Sequence, residues 1–119
     1  TGSFGIYQSD ALVNRWGGGH RYKYRTDATT SVTVTVADSI IAMSSTSTVT
    51  CTLPSAATCE GIVFTFKKTG ASGTINITSV SGQTFDTVSG PIAMTTQNWV
   101  YQIFSDGANW RVIKGPNAP

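Results

Sequence analysis

The chain has 119 residues, a length for one domain with a modest core. Charged residues make up 12% and the formal net charge is +2, which argues against a surface built throughout for nucleic acid. Hydrophobic residues at 39% and aromatics at 10% argue against an unfolded chain, and no apolar run approaches the roughly 18 residues of a membrane-spanning helix.

Roughly a quarter of the residues are Ser or Thr, so the surface is rich in hydroxyls and poor in charge. No basic segment followed by an apolar one marks a signal peptide, and Thr1 is compatible with initiator processing, cleavage or truncation. In chain order, Thr1 to Gly5 is small and loose. Tyr7 to Trp16 has weak helical potential around Ala11, Leu12 and Val13, and Gly17, Gly18 and Gly19 interrupt it. His20, Arg21, Tyr22, Lys23, Tyr24 and Arg25 then alternate in the manner of a strand or an extended arm.

From Ser31 the pattern becomes regular. Val32, Val34 and Val36 alternate with Thr33 and Thr35, a strand signature, and Ile40, Ile41 and Met43 form a second short strand. Thr48 to Leu53 is a third, stopped by Pro54, which has no N–H for a ladder. After Gly61, the residues Ile62, Phe64 and Phe66 point one way, and Val63, Thr65 and Lys67 the other. Thr74 to Thr78 turns Ile75 and Ile77 inward, Ile92 to Met94 is short, and Asn98 to Phe104 carries aromatics at alternate positions. Asp106 and Gly107 signal a hairpin, Asn109 to Ile113 closes the domain, and Gly115 to Pro119 reads as a loose tail. Seven to nine strands with closely spaced turns predict an all-β fold: a compact antiparallel β-sandwich or jelly-roll-like barrel with an extended N-terminal arm. The expected organisation is an arm over 1–27, a β domain over 28–114 and a tail over 115–119. No fixed period is visible, so a β-helix is not expected.

The order of these segments carries a resemblance. Ser-Val-Thr-Val-Thr-Val-Ala-Asp-Ser-Ile-Ile (31–41) is followed by Val-Thr-Cys-Thr-Leu-Pro-Ser-Ala-Ala (49–57) and Gly-Ile-Val-Phe-Thr-Phe-Lys-Lys (61–68). Thr-Ile-Asn-Ile (74–77), Gly-Gln-Thr-Phe-Asp (82–86) and Ser-Asp-Gly-Ala-Asn-Trp-Arg-Val-Ile (105–113) complete it. This succession resembles a small β domain recurrent in bacteriophage virion structural proteins: tail fibres, spikes, capsid decorations and other appendages. It covers residues 28 to 114 and departs from the pattern at Phe85, where an aliphatic residue is usual, and at Thr87, where a glycine is usual. The resemblance implies a homotrimer located on the virion, with other virion proteins as partners and a host receptor or glycan as a further candidate.

Catalytic signals are weak. His20 is the single histidine, and a pair with Cys59 would lack both an orienting third group and an oxyanion loop. Gly17-Gly18-Gly19 lacks the strand and the Lys-Ser/Thr ending of a phosphate loop. The expectation is therefore no enzyme, no cofactor and no metal site. Asn76-Ile77-Thr78 fits a glycosylation acceptor, a pattern with many false matches. Cys51 alternates with threonines on an apolar face, which suggests a small buried hydrophobe; a disulfide to Cys59 in an oxidising compartment is the other reading.

The candidate assembly or binding arm comprises Arg15, Trp16, His20, Arg21, Tyr22, Lys23, Tyr24 and Arg25. Arg, Tyr and Trp are enriched at protein interfaces, so contact with another subunit leads. An ordinary half-buried strand, or stacking on a glycan or nucleic acid, are the alternatives. Trp99, Tyr101 and Ile103 share one face of their strand and are the candidate subunit-interface side; Val100, Gln102 and Phe104 share the other.

Overall fold

The computed structural model describes residues 21 to 117. They form nine strands in two sheets: β1 (Tyr24–Asp27), β2 (Ser31–Thr33), β3 (Ile40–Met43), β4 (Val49–Thr52), β5 (Val63–Lys68), β6 (Ile75–Thr78), β7 (Ile92–Met94), β8 (Val100–Ser105) and β9 (Trp110–Asn117). The helical content among the described residues is one short 3-10 turn, Ala56–Thr58, capped by the Ser55 hydroxyl accepting from the Ala57 amide. The all-β, two-layer expectation holds.

The strand pairing differs from the antiparallel sandwich or jelly roll read from the sequence. The larger sheet has the order β1-β3-β5-β8-β9 and the smaller one β2-β4-β6-β7. From β1 to β6 the chain alternates between them, so β1, β3 and β5 pair in parallel, as do β2, β4 and β6. Three successive coils are thereby stacked, and antiparallel pairing enters only with β7, β8 and β9. The coils have unequal lengths. Tyr24 lies beside Ile40 and Ile40 beside Thr65; Ser31 lies beside Thr50 and Thr50 beside Asn76. Unequal steps leave no period in the sequence, which is why the coil was not legible there.

The core fills the space between the sheets and follows from period-two alternation. Ile41, Met43, Phe64, Phe66, Ile103 and Trp110 from the larger sheet meet Val32, Val49, Cys51, Ile75, Ile77 and Met94 from the smaller. Trp110 is fully buried against Phe64, with ring centroids 5.7 Å apart. Each such large side chain contributes about 1.5–3 kcal/mol by leaving water. Between β3 and β4 the chain makes a close approach to the turn after β5. A side chain at Gly70 would lie 2.2 Å from the Ser45 carbonyl oxygen, so only glycine fits.

Two boundaries shift. The β body begins at Tyr24, inside the segment assigned to the arm, because Tyr24–Asp27 pairs residue for residue with Ile40–Met43. At the other end β9 runs to Asn117, into the segment expected to be a loose tail, with register irregularities opposite Val100, Gln102 and Ile103.

Candidate functional site

Arg15, Trp16 and His20 lie outside the described residues. Arg21, Tyr22 and Lys23 are exposed and lead into β1. Arg25 is a structural residue. Its Nε donates to Asp38 Oδ1 at 2.9 Å, its Nη1 to Asp27 Oδ2 at 3.0 Å, and its Nη2 to the Thr33 carbonyl at 2.9 Å and to Asp38 Oδ2 at 3.2 Å. Asp38, almost wholly buried, also accepts from the Thr35 amide. Burial of the guanidinium opposes its charge, but Asp38 and Asp27 outweigh that and raise the Arg25 pKa. The Thr29 hydroxyl is the largest influence on Asp27; against the opposing effect of burial, it, the Thr29 amide and Arg25 hold the carboxyl below its ordinary value. Arg25 thus fastens β1 to β2 and to the connection into β3.

The side of β8 singled out as a subunit interface faces inward. Ile103 is completely buried, and Trp99 and Tyr101 pack partly buried against the core. Burial raises the Tyr101 phenol pKa. The physical reason is register: Phe64 and Phe66, both core residues, lie opposite Ile103 and Tyr101, and cross-strand partners share a face. The outward side of β8 is the Val100, Gln102 and Phe104 side.

That side belongs to a continuous outer face of the larger sheet. One cross-strand row runs Tyr24, Ile40, Thr65, Gln102 and Lys114; a second contains Thr26, Ala42, Lys67 and Val100. Tyr24 is 61% exposed, Ile113 51% and Val63 41%. Tyr22, Ser39, Ile40, Val63, Thr65, Gln102 and Ile113 line a groove of about 500 Å³. At its centre Gln102 Nε2 donates to Thr65 Oγ1 at 3.1 Å. Among the described residues, Lys67 and Lys114 form no ion pair. The outer face of the smaller sheet is different in kind: Ser31, Thr33, Thr50, Thr52, Asn76, Thr78 and Ala93 carry no charge and no large apolar group.

The two edges of the first coil also differ. The Ile40 amide donates to the Lys23 carbonyl and the Ser44 amide to the Asp27 carbonyl, so Lys23 and Asp27 turn their backbone toward β3. The backbone of Tyr24 and Thr26 faces outward, and β1 has no further strand beside it among the described residues. On β2 the outward carbonyls are occupied, Ser31 by the Thr29 hydroxyl and Thr33 by Arg25. The open edge is therefore β1.

Both cysteines are free and buried, in keeping with the small-hydrophobe reading, and burial pushes the Cys51 thiol up to about 12, which makes it a poor nucleophile. Groups of three or more His, Cys, Asp or Glu suited to a metal ion are absent among the described residues. Lys68 is a structural polar site that the sequence reading missed, and the expected Asp106 hairpin is held by side-chain hydrogen bonds. Lys68 is fully buried, its Nζ donating to the Gly70 carbonyl at 2.7 Å and to the Ser72 carbonyl at 2.9 Å. Its parity with Phe64 and Phe66 was the available signal. Asp106 organises the last hairpin by accepting from the Ala108 and Asn109 amides and from Arg111 Nε. No family model, no curated protein and no solved structure matches this chain.

Proposed function

We propose that the chain is a non-enzymatic structural module of a virion, homotrimeric, attached to a fibre, spike or capsid through its N-terminal segment. The observation that carries this reading is the open β1 edge on a stack of parallel coils, at the end where residues 1–20 join the body. An unpaired edge with its backbone facing outward is a template for an added strand, from a neighbouring subunit or from another particle protein. The resemblance of residues 28 to 114 to phage appendage domains supports the same reading.

Sedimentation of the full chain tests it, with three times the 12.6 kDa chain mass expected. Thr26→Pro removes an outward N–H at the edge and leaves the β3 ladder intact, and it should lower the assembly state while the monomer stays folded. A monomer at every concentration, or a trimer indifferent to Thr26→Pro, would overturn the reading. Truncation should stop at residue 20, since β1 carries Arg25 and its contacts with Asp27 and Asp38.

A second reading, a receptor- or glycan-binding module at an appendage tip, is favoured by the groove on the outer face of the larger sheet. Its lining combines aliphatic, aromatic, hydroxyl and amide groups, the mixture suited to the two-faced surface of a sugar.

A further inference from the structure

We infer that the outer face of the larger sheet binds an acidic polysaccharide, laid across β3, β5, β8 and β9; the inference rests on the second reading above.

The described acids are Asp27, Asp38, Glu60, Asp86 and Asp106. Asp27 and Asp38 are held by Arg25, and Asp106 by Arg111. None of the five belongs to the rows that cross this face, whereas Lys67 and Lys114 both do. Asp86 lies at the β9 edge, its carboxylate accepting from the Val112 amide, but neither lysine has an ion-pair partner among the described residues. The face thus keeps a net positive charge, and it calls for an anionic occupant. A second copy laid face to face would bring four lysines together with carboxylates only along the β9 edge, which argues against self-packing here.

Thr65 and Gln102, joined by a hydrogen bond, occupy the middle of the groove, flanked by Ile40, Val63 and Ile113. A buried protein–protein core disfavours a polar pair at its centre unless every group is matched. A sugar ring offers C–H faces to the aliphatic and tyrosyl walls and hydroxyls to the Gln102 carbonyl and the Thr65 oxygen. Tyr24, in the same row, extends the wall by an aromatic plane. Two lysines and few stacking planes suit the sparse carboxylates of a uronate polymer better than the closely spaced phosphates of a nucleic acid.

Five strands at a spacing of about 4.8 Å make a face roughly 20 Å across, the reach of a short oligomer rather than one small molecule.

Calorimetric titration of the full chain with a hyaluronate hexasaccharide tests this, beside a chitin hexasaccharide as neutral comparator and oligothymidylate as a nucleic acid. Hyaluronate should bind, weakening as salt rises. Lys67→Gln and Lys114→Gln should each reduce affinity about threefold to fivefold, and Gln102→Ala should reduce it further. Thr50→Ala, on the outer face of the smaller sheet, should leave binding unchanged, and matching circular dichroism of all variants would establish folding. Equal binding of the neutral oligomer, lost with Gln102→Ala but not with the lysine variants, would overturn the acidic ligand and leave the glycan reading standing. Binding of neither sugar would overturn both. Oligothymidylate bound more tightly than hyaluronate, with the same lysine dependence, would replace the ligand class. The virion assembly reading is untouched by any of these results.

Discussion

Replacing Arg25 by methionine separates a structural arginine from a docking one. Methionine keeps much of the aliphatic stem and removes the guanidinium from Asp38, Asp27 and the Thr33 carbonyl. Asp38 is 5% exposed and would retain the Thr35 amide and hydroxyl as hydrogen-bond donors. Breaking a fully buried ion pair from one side costs about 3–5 kcal/mol. The Arg25 side chain is 29% exposed, so water partly replaces it and the expected loss is about 2–3 kcal/mol. With a urea slope of about 1.5 kcal/mol per molar for a domain of this size, the midpoint should fall by roughly 1.3–2 M. Tryptophan emission is a suitable signal, since Trp110 is fully buried and Trp99 packs against the core; chain concentration must be held constant. Arg25→Met combined with Asp38→Asn should recover part of the loss, because the second change removes the stranded charge. A midpoint shift below about 0.3 M, with assembly impaired, would refute the structural assignment and return Arg25 to the docking arm.

Lys68→Ala should destabilise by about 2–3 kcal/mol in the same assay, because it strands the Gly70 carbonyl and opens a cavity beneath β5. Lys68→Met, which restores volume but not the donor, should recover only part of that loss. Asp106 has its carboxyl lowered to about 2 by the Asn109 and Ala108 amides and by Arg111. A depressed folded value means that its stabilisation is present above the unfolded value of about 3.9 and is lost as pH falls toward 2. Asp106→Asn should therefore lower stability at neutral pH and flatten the acid limb of the stability profile, leaving the part due to Asp27.

Much of the framework was legible residue by residue. Val32, Cys51, Ile75 and Ile77 are buried as their alternation requires, Pro54 follows the last residues of the β4 segment, and Asp106-Gly107 makes the final turn. Gly107 takes a φ of +94°, the left-handed region that favours glycine. The groove was not legible, because it joins Ile40, Thr65, Gln102 and Ile113 from four strands through pairings that no local pattern announces. The sequence did separate the two sides of β8, yet both are largely apolar, and alternation alone could not say which one faces the core.

The sequence by itself therefore determined that this is an all-β chain, where most strands run, and which residues alternate, since these follow from the pleat and from the steric limits of proline and glycine. Only the tertiary structure decided that the first six strands alternate between the two sheets and stack in parallel coils, that Arg25 is a fastener, and that β8 turns Gln102 outward. Those outcomes depend on register between strands far apart in sequence. A step of one residue exchanges core for surface along an entire strand, and the packing of Phe64, Phe66, Ile103 and Trp110 against the smaller sheet selects the register.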